Sequence, residues 1–197
     1  MTDRAARTIK PASADRFDDV ATLLAPKRPG AQACWCLSHR VDPKIHRVLE
    51  PGERRAFLLR LTGLPVAPGI LAYEGDEVVG WAAVAPRAEV HFLTHGDKFP
   101  RVDDLAAWSI WCLKVRPGHR GQGVARSLVD GAVRFARDHD APAVESYPVD
   151  NRGAKVDSTL AYVGTRALFE SAGFTKVADT TATSDAFPRI VMRYGMP

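Results

Sequence analysis

Residues 113–125 read Leu-Lys-Val-Arg-Pro-Gly-His-Arg-Gly-Gln-Gly-Val-Ala, and this stretch restricts the fold more than any other. An apolar run ending at Leu113-Lys114-Val115 predicts a strand, and Pro117-Gly118 predicts a turn. Val124, Leu128, Ala132, Phe135 and Ala136 then recur at the spacing of one helix face. A strand, a glycine loop and a helix in that order build an anion site. Gly121 and Gly123 let the backbone bend and approach a ligand with no Cβ in the way. The helix behind them offers unpaired N–H groups and the positive end of its dipole.

Spacing separates the known phosphate loops. A P-loop ends in Gly-Lys-Ser/Thr, whereas Gly123 is followed by Val124 and Ala125. A dinucleotide fingerprint needs a third glycine where Arg126 stands. The remaining pattern, Arg120-x-x-Gly123-x-Ala125 after a strand, resembles the acyl-CoA pyrophosphate loop of the GNAT superfamily of N-acetyltransferases, Gln/Arg-x-x-Gly-x-Gly/Ala. The competing reading is an ordinary strand-to-helix turn that uses glycine for bending. A second signature follows in the right order. Ala167-Leu168-Phe169-Glu170-Ser171-Ala172-Gly173-Phe174 is similar to the late pattern of the same family, Ala-x-x-Leu-Tyr-x-x-x-Gly-Phe. Gly173 there permits a left-handed helix stop before Phe174 opens the next strand.

The segments between these marks fit the same fold. Arg7 to Lys10 predicts a first strand. Phe17, Val20, Leu23 and Leu24 predict a helix to about Ala25, ended by Pro26 and Pro29-Gly30. Helices are expected around Pro43–Leu49 and Glu53–Leu61, and a hairpin from Ile70–Tyr73 and Val78–Ala85 across Glu74-Gly75-Asp76-Glu77. Residues 87–104, long and polar, are expected to form a lid or a rim loop. Ala107–Val115 and Ala143–Val149 are strands, Arg166–Ala172 a helix, and Thr175–Ala178 and Arg189–Tyr194 closing strands. The chain is thus of the α/β (α+β) class. The resemblance implies the GNAT fold: a mixed, mostly antiparallel central sheet, helices on both faces, and central parallel strands that splay apart. The whole chain, 1–197, is expected to be one domain.

Composition narrows the function classes. No run approaches the roughly 18 apolar residues of a membrane span, and the first residues, Met1 to Arg7, hold no apolar signal region. Three cysteines, Cys34, Cys36 and Cys112, are an odd number. That argues against a disulfide framework and for a reducing, cytoplasmic setting. Net charge is +4, but 27 basic residues are scattered among 23 acidic ones with no block of either sign, so nucleic acid is not the expected partner. Cys34-x-Cys36-x-x-His39 lacks the second ligand pair of a zinc site, and no metal is expected.

The resemblance implies acetyl-CoA as cosubstrate and a primary amine of a small molecule or peptide as acceptor, attacking the thioester directly. It places the backbone of Leu113 and Val115 on the pantetheine arm, with a backbone N–H near Leu113 free for the thioester oxygen. It sets Arg120, Gly121, Gln122, Gly123, Val124 and Ala125 on the pyrophosphate. Homodimers are common in the family. The family's proton-donating tyrosine is replaced by Phe169, which also belongs to the cofactor set. Either the thiolate leaves unassisted, or Tyr162 or Tyr147 serves. The family's asparagine position is Gly164, so Asn151 is the candidate for that role. An insertion over 150–163 lies at the acceptor end, as a substrate lid or as a plain surface loop. Glu145 is the carboxylate inside a core strand: facing the cleft it is the general base, facing away it pairs with an arginine. Asp150 is the second candidate. Trp35 and Trp111, with Tyr147, are expected to wall the acceptor site. Other readings are a CoA-binding regulator without turnover, and transfer from a non-CoA carrier such as aminoacyl-tRNA.

Overall fold

Alternation at period 2 sets the architecture. Between Gly69 and Glu74, Ile70 and Ala72 enter one core while Leu71 and Tyr73 enter the other. A strand of this kind is buried on both faces. A computed structural model describes residues 7–28, 31–157, 161–184 and 186–196. Met1 to Ala6, the Pro29-Gly30 helix stop, and Ser158 to Leu160 of the insertion lie outside the described residues.

The elements are β1 (Thr8–Pro11), α1 (Phe17–Leu24), α2 (Pro43–Val48), α3 (Pro51–Thr62), β2 (Gly69–Glu74), β3 (Glu77–Pro86), α4 (His91–His95), β4 (Trp108–Val115), α5 (Val124–Arg137), β5 (Ala143–Ser146), α6 (Arg166–Ser171), β6 (Thr175–Ser184) and β7 (Phe187–Gly195). They form a sheet ordered β1-β2-β3-β4-β5-β7-β6. β4 and β5 run parallel, and the other neighbours are antiparallel. This is the expected mixed, mostly antiparallel sheet with helices on both faces.

One core packs α1, through Phe17, Val20 and Leu23, against Leu71, Tyr73 and Trp81. The other packs α5, through Val124, Leu128, Ala132 and Phe135, against Ile70, Val79 and Ile110, and holds Phe169 and Phe174 from the C-terminal third. Burying each large side chain of that stripe contributes about 1.5–3 kcal/mol. No helix among the described residues is long and apolar enough to cross a membrane.

Three boundaries differ from expectation. β5 ends at Ser146, not Val149, because Pro148 has no N–H to continue a ladder. Val149 instead makes isolated bridges to Thr165 and Arg189. β6 runs on to Ser184 through Thr180-Thr181-Ala182-Thr183, whose β-branched residues favour a pleated edge. The 87–104 stretch is not a plain loop; it holds α4, whose Leu93 is buried.

Candidate active site

The site starts with a fault in β4. Its register against β3 pairs Ala83 with Cys112 and Val84 with Ile110, which leaves Trp111 as a bulge. A bulge bends its strand and re-aims a side chain. The parallel ladder to β5 covers only Trp108 to Ile110. Beyond Ile110 β4 continues to Val115 paired with β3 only, while β5 has ended at Ser146.

The gap is not empty. The Leu113 N–H, expected to be free, donates to the Tyr162 carbonyl at 2.8 Å. Tyr162 lies in a turn closed by the Gly164 N–H on the Ala161 carbonyl at 2.7 Å. The turn is anchored on the other side by the Val149 N–H on the Gly164 carbonyl at 3.1 Å. Gly164 has φ +101°, and a Cβ there would lie 2.8 Å from Leu168 Cδ2 and 3.6 Å from Leu113 Cδ1. A side chain there would be strained by this φ and would press on Leu168, which favours glycine.

At the other end of β4 the chain enters the glycine loop. Gly121 has φ +70° and Gly123 φ +83°, a region other residues enter at a cost of about 1–2 kcal/mol. Gly123 caps α5 without any side-chain bond, and no acidic residue stands in the first turn. The first N–H groups of α5 have no carbonyl of their own helix to bond, an arrangement that suits an anion. Arg7 backs the loop: its Nη2 donates to the Gln122 carbonyl at 2.6 Å and its Nε to Glu74 at 2.7 Å. Glu74 also meets His119 Nδ1 at 3.0 Å. The His119 bond, with Arg7 behind it, holds the Glu74 carboxyl below its usual range. Arg7 was not legible in the sequence, because nothing distinguishes it from the other arginines.

Beside Trp111 is a small aromatic cavity of about 10 Å³, lined by His39, Phe99, Trp111, Tyr147, Tyr162 and Arg189 among others. That volume holds about one water. Tyr162 fills the space. Its hydroxyl is 3.0 Å from His39 Nε2, and the Arg189 guanidinium lies 4.4 Å from its ring centre. Arg189, 3% exposed, also donates to the Tyr147 carbonyl at 2.8 Å. Burial, then the charges of Arg189 and His46, lower the His39 pKa to about 4, so the imidazole is neutral. Burial raises the Tyr162 hydroxyl. A wider cleft of about 580 Å³, bordered by Arg87, Phe99 and Leu105, adjoins across Leu93 and Phe99.

Several expected residues have other duties. Glu145, 1% exposed, faces arginines: its Oε1 takes Arg193 Nη2 at 2.6 Å, and Oε2 lies 3.4 Å from Arg87 Nε. Oε2 also accepts from the Tyr147 hydroxyl at 3.0 Å. Both oxygens are engaged, which is the arginine-paired alternative and not the geometry of a base. Asp150 is paired with Arg166 at 3.2 Å. The Asn151 amide donates to the Ala154 carbonyl and closes its own turn. Tyr147 lines the cavity, but burial and the adjacent Glu145 push its hydroxyl up. Trp35 is stacked on Phe17, with ring centres 6.2 Å apart, and belongs to the α1 core. Trp111 does reach the cavity. Phe169 is 0% exposed and packed edge-on to Phe174, behind Gly164. His39, considered in the sequence only as a metal ligand, is the group that reasoning missed. Cys36 Sγ lies 3.1 Å from Cys112 Sγ. Among the described residues no group of three His, Cys, Asp or Glu side chains is placed to hold a metal ion.

Comparison with known proteins agrees with this geometry. The sequence model of the acetyltransferase (GNAT) family matches residues 36–157. The match ends before the Ala167–Phe174 signature. A mycothiol acetyltransferase from Beutenbergia cavernae is 37% identical over 78 residues, 40% of this chain and 23% of that protein. The chain therefore matches under a quarter of that relative's length. A putative acetyltransferase from Salmonella typhimurium, solved with its cofactor acetyl-CoA, superposes with TM-score 0.56 at 14% identity, over 98% of this chain and 95% of that one. A polyamine N-acetyltransferase from Drosophila melanogaster gives TM-score 0.56 at 14% identity, over 97% and 100%. At these identities the likeness is one of fold.

Proposed function

The chain belongs to the acetyltransferase (GNAT) family, and from that premise we propose that it moves an acetyl group from acetyl-CoA to a primary amine of a small molecule or peptide. The supporting observation is the left-handed glycine loop at the head of α5, at the end of a strand that outruns its parallel neighbour. The chain acts in this reading as one catalytic domain. The pyrophosphate takes the loop N–H groups from Gly121 to Ala125, with Arg120 beside it. The pantetheine amides take the backbone of Leu113 and Val115, for which the Tyr162 carbonyl has to leave Leu113.

The amine attacks the thioester carbonyl directly. No carboxylate is needed to free its lone pair. Burial, and after it the Arg189 charge, depress His39, and the same burial disfavours an ammonium ion in the cavity, so the acceptor binds as free base. The Leu113 N–H, once released, steadies the oxygen of the tetrahedral intermediate. The C–S bond breaks and the sulfur departs as thiolate, which thiol pKa values near 8.5 allow; the proton shed by the newly bonded nitrogen passes through solvent to that thiolate, so no hydroxyl is needed at Phe169.

Purified protein with acetyl-CoA and an amine panel tests the reading by thiol release. The panel includes a polyamine, a peptide N-terminus and the amine precursor of the acetylated thiol named for the Beutenbergia relative. No binding of acetyl-CoA by calorimetry sinks the donor assignment. Phe169 and the closed cavity favour one other reading, a CoA-binding regulator; tight binding with no acetylation of any amine would establish it.

A further inference from the structure

We propose that Tyr162 is a built-in stand-in for the acceptor, and that the acceptor is an amine carrying an aromatic ring with a hydrogen-bonding group at its far end. This rests on the acetyl-transfer reading above and names the substrate class for the same site.

One short turn fills both substrate places. The carbonyl of Tyr162 takes the Leu113 N–H at 2.8 Å, the place the thioester oxygen of the donor would occupy. Its side chain fills the cavity beside Trp111 down to room for about one water. The contacts of that side chain describe a ligand. A flat ring is held under the Arg189 guanidinium at 4.4 Å, a cation–π contact worth most where water is excluded. The ring lies 5.4 Å from the His39 ring, tilted 45°. Its terminal hydroxyl meets His39 Nε2 at 3.0 Å.

The receiving residues come from elsewhere in the chain. His39 lies between α1 and α2, with its ring edge-on to Phe92 at 4.9 Å and Nδ1 3.2 Å from Ser38 Oγ. Trp111 is the bulge of β4, and Arg189 is on β7. The cavity walls therefore remain when the turn moves. Donor entry at Leu113 withdraws the carbonyl, the ring leaves with it, and an acceptor of the same shape takes its place. A plain alkylamine offers no π-face to Arg189 and leaves His39 Nε2 unpaired, a poor match for a buried polar atom. Tyr162 is then a place-holder and not the proton donor.

The experiment uses the full chain, acetyl-CoA and three amines: 4-hydroxyphenylethylamine, phenylethylamine and hexylamine. We expect kcat/KM to fall in that order, by about tenfold at each step, the size of one lost buried contact. His39→Ala, with His39→Gln as a second variant should it fold poorly, is expected to shrink the first step to under threefold. Equal or better turnover of hexylamine overturns the proposal, as does a hydroxyl preference that survives both His39 variants. Hydrogen exchange supplies an independent readout. Saturating acetyl-CoA is expected to speed exchange of the Gly164 amide at least tenfold while the Leu113 amide stays protected. Unchanged protection at Gly164 with acetyl-CoA bound refutes the stand-in. If hexylamine is acetylated as well as the aromatic amines, only this inference fails. If no amine is acetylated although Gly164 is released, the transfer reading fails with it.

Discussion

Glu145→Gln removes a buried charge and almost nothing else. The carboxylate receives Arg193 at 2.6 Å, the Tyr147 hydroxyl at 3.0 Å and the Arg87 charge at 3.4 Å, with 1% of the residue exposed. Breaking a buried pair on one side costs about 3–5 kcal/mol, because the partner charge is left without compensation. Arg193 keeps Asp103, whose Oδ1 is 3.1 Å from its Nη2, so the lower end, about 3 kcal/mol, applies. Arg87 keeps the Phe99 carbonyl at 3.2 Å. For a chain of this length each kcal/mol moves Tm by about 2–4 °C, which gives a fall of about 6–12 °C. Differential scanning calorimetry measures it. Activity at a temperature well below both transitions is expected to stay within threefold of the parent. A general base contributes about 10²–10⁴-fold. A loss of that size with Tm within 2 °C of the parent would refute the structural assignment of Glu145 and return it to the chemistry.

Other outcomes follow from the glycine loop and from the buried histidine. Gly123→Val forces a β-branched residue to φ +83°; at about 1–2 kcal/mol, acetyl-CoA affinity falls about 5–30-fold by calorimetry, and unchanged affinity in a folded variant removes the loop from the donor site. Arg7→Ala frees the Gln122 carbonyl and is expected to weaken acetyl-CoA about tenfold with a small change in Tm; a loss confined to Tm contradicts it. The folded pKa of His39, about 4, lies below its usual 6.5. The unfolded chain therefore binds the extra proton between those values. The stability tied to this residue is complete above pH 6.5 and lost as pH falls through 4, up to about 3 kcal/mol. Thermal melts across that window are expected to show a shallower slope for His39→Gln, and parallel slopes argue against a buried neutral imidazole.

The sheet and its helices were legible because their signals are local. Val124, Leu128 and Ala132 repeat at helical spacing, and Ile70 to Tyr73 alternate between two cores. The glycine loop was legible because glycine takes φ values such as those at Gly121 and Gly123 without the steric cost other residues meet there. The acceptor side was not, since it joins residues far apart in sequence. His39, Trp111, Tyr162 and Arg189 meet only in the folded chain, and Glu145 meets Arg193 across a β5–β7 pair. Strand alternation puts Glu145 on a face but says nothing about which cation waits there. β5 is shorter than its apolar run because Pro148 cannot donate to the ladder. Residue type alone points Trp35 to the cleft, whereas its ring stacks on Phe17 of α1.

The Arg7 bond to the Gln122 carbonyl decides when the disorder of the loop is removed. Fixing the backbone of one residue costs about 1–2 kcal/mol in conformational entropy, and glycines such as Gly121 and Gly123 lose the most. With β1 and β2 tied through Arg7 and Glu74 to the loop, this ordering is completed as the sheet folds. In the donor site proposed above, an arriving diphosphate would meet a loop already ordered and take little further freedom from the chain. Binding then carries a small entropic penalty from the protein, and the loop acts as a mould that the rest of the fold keeps in shape.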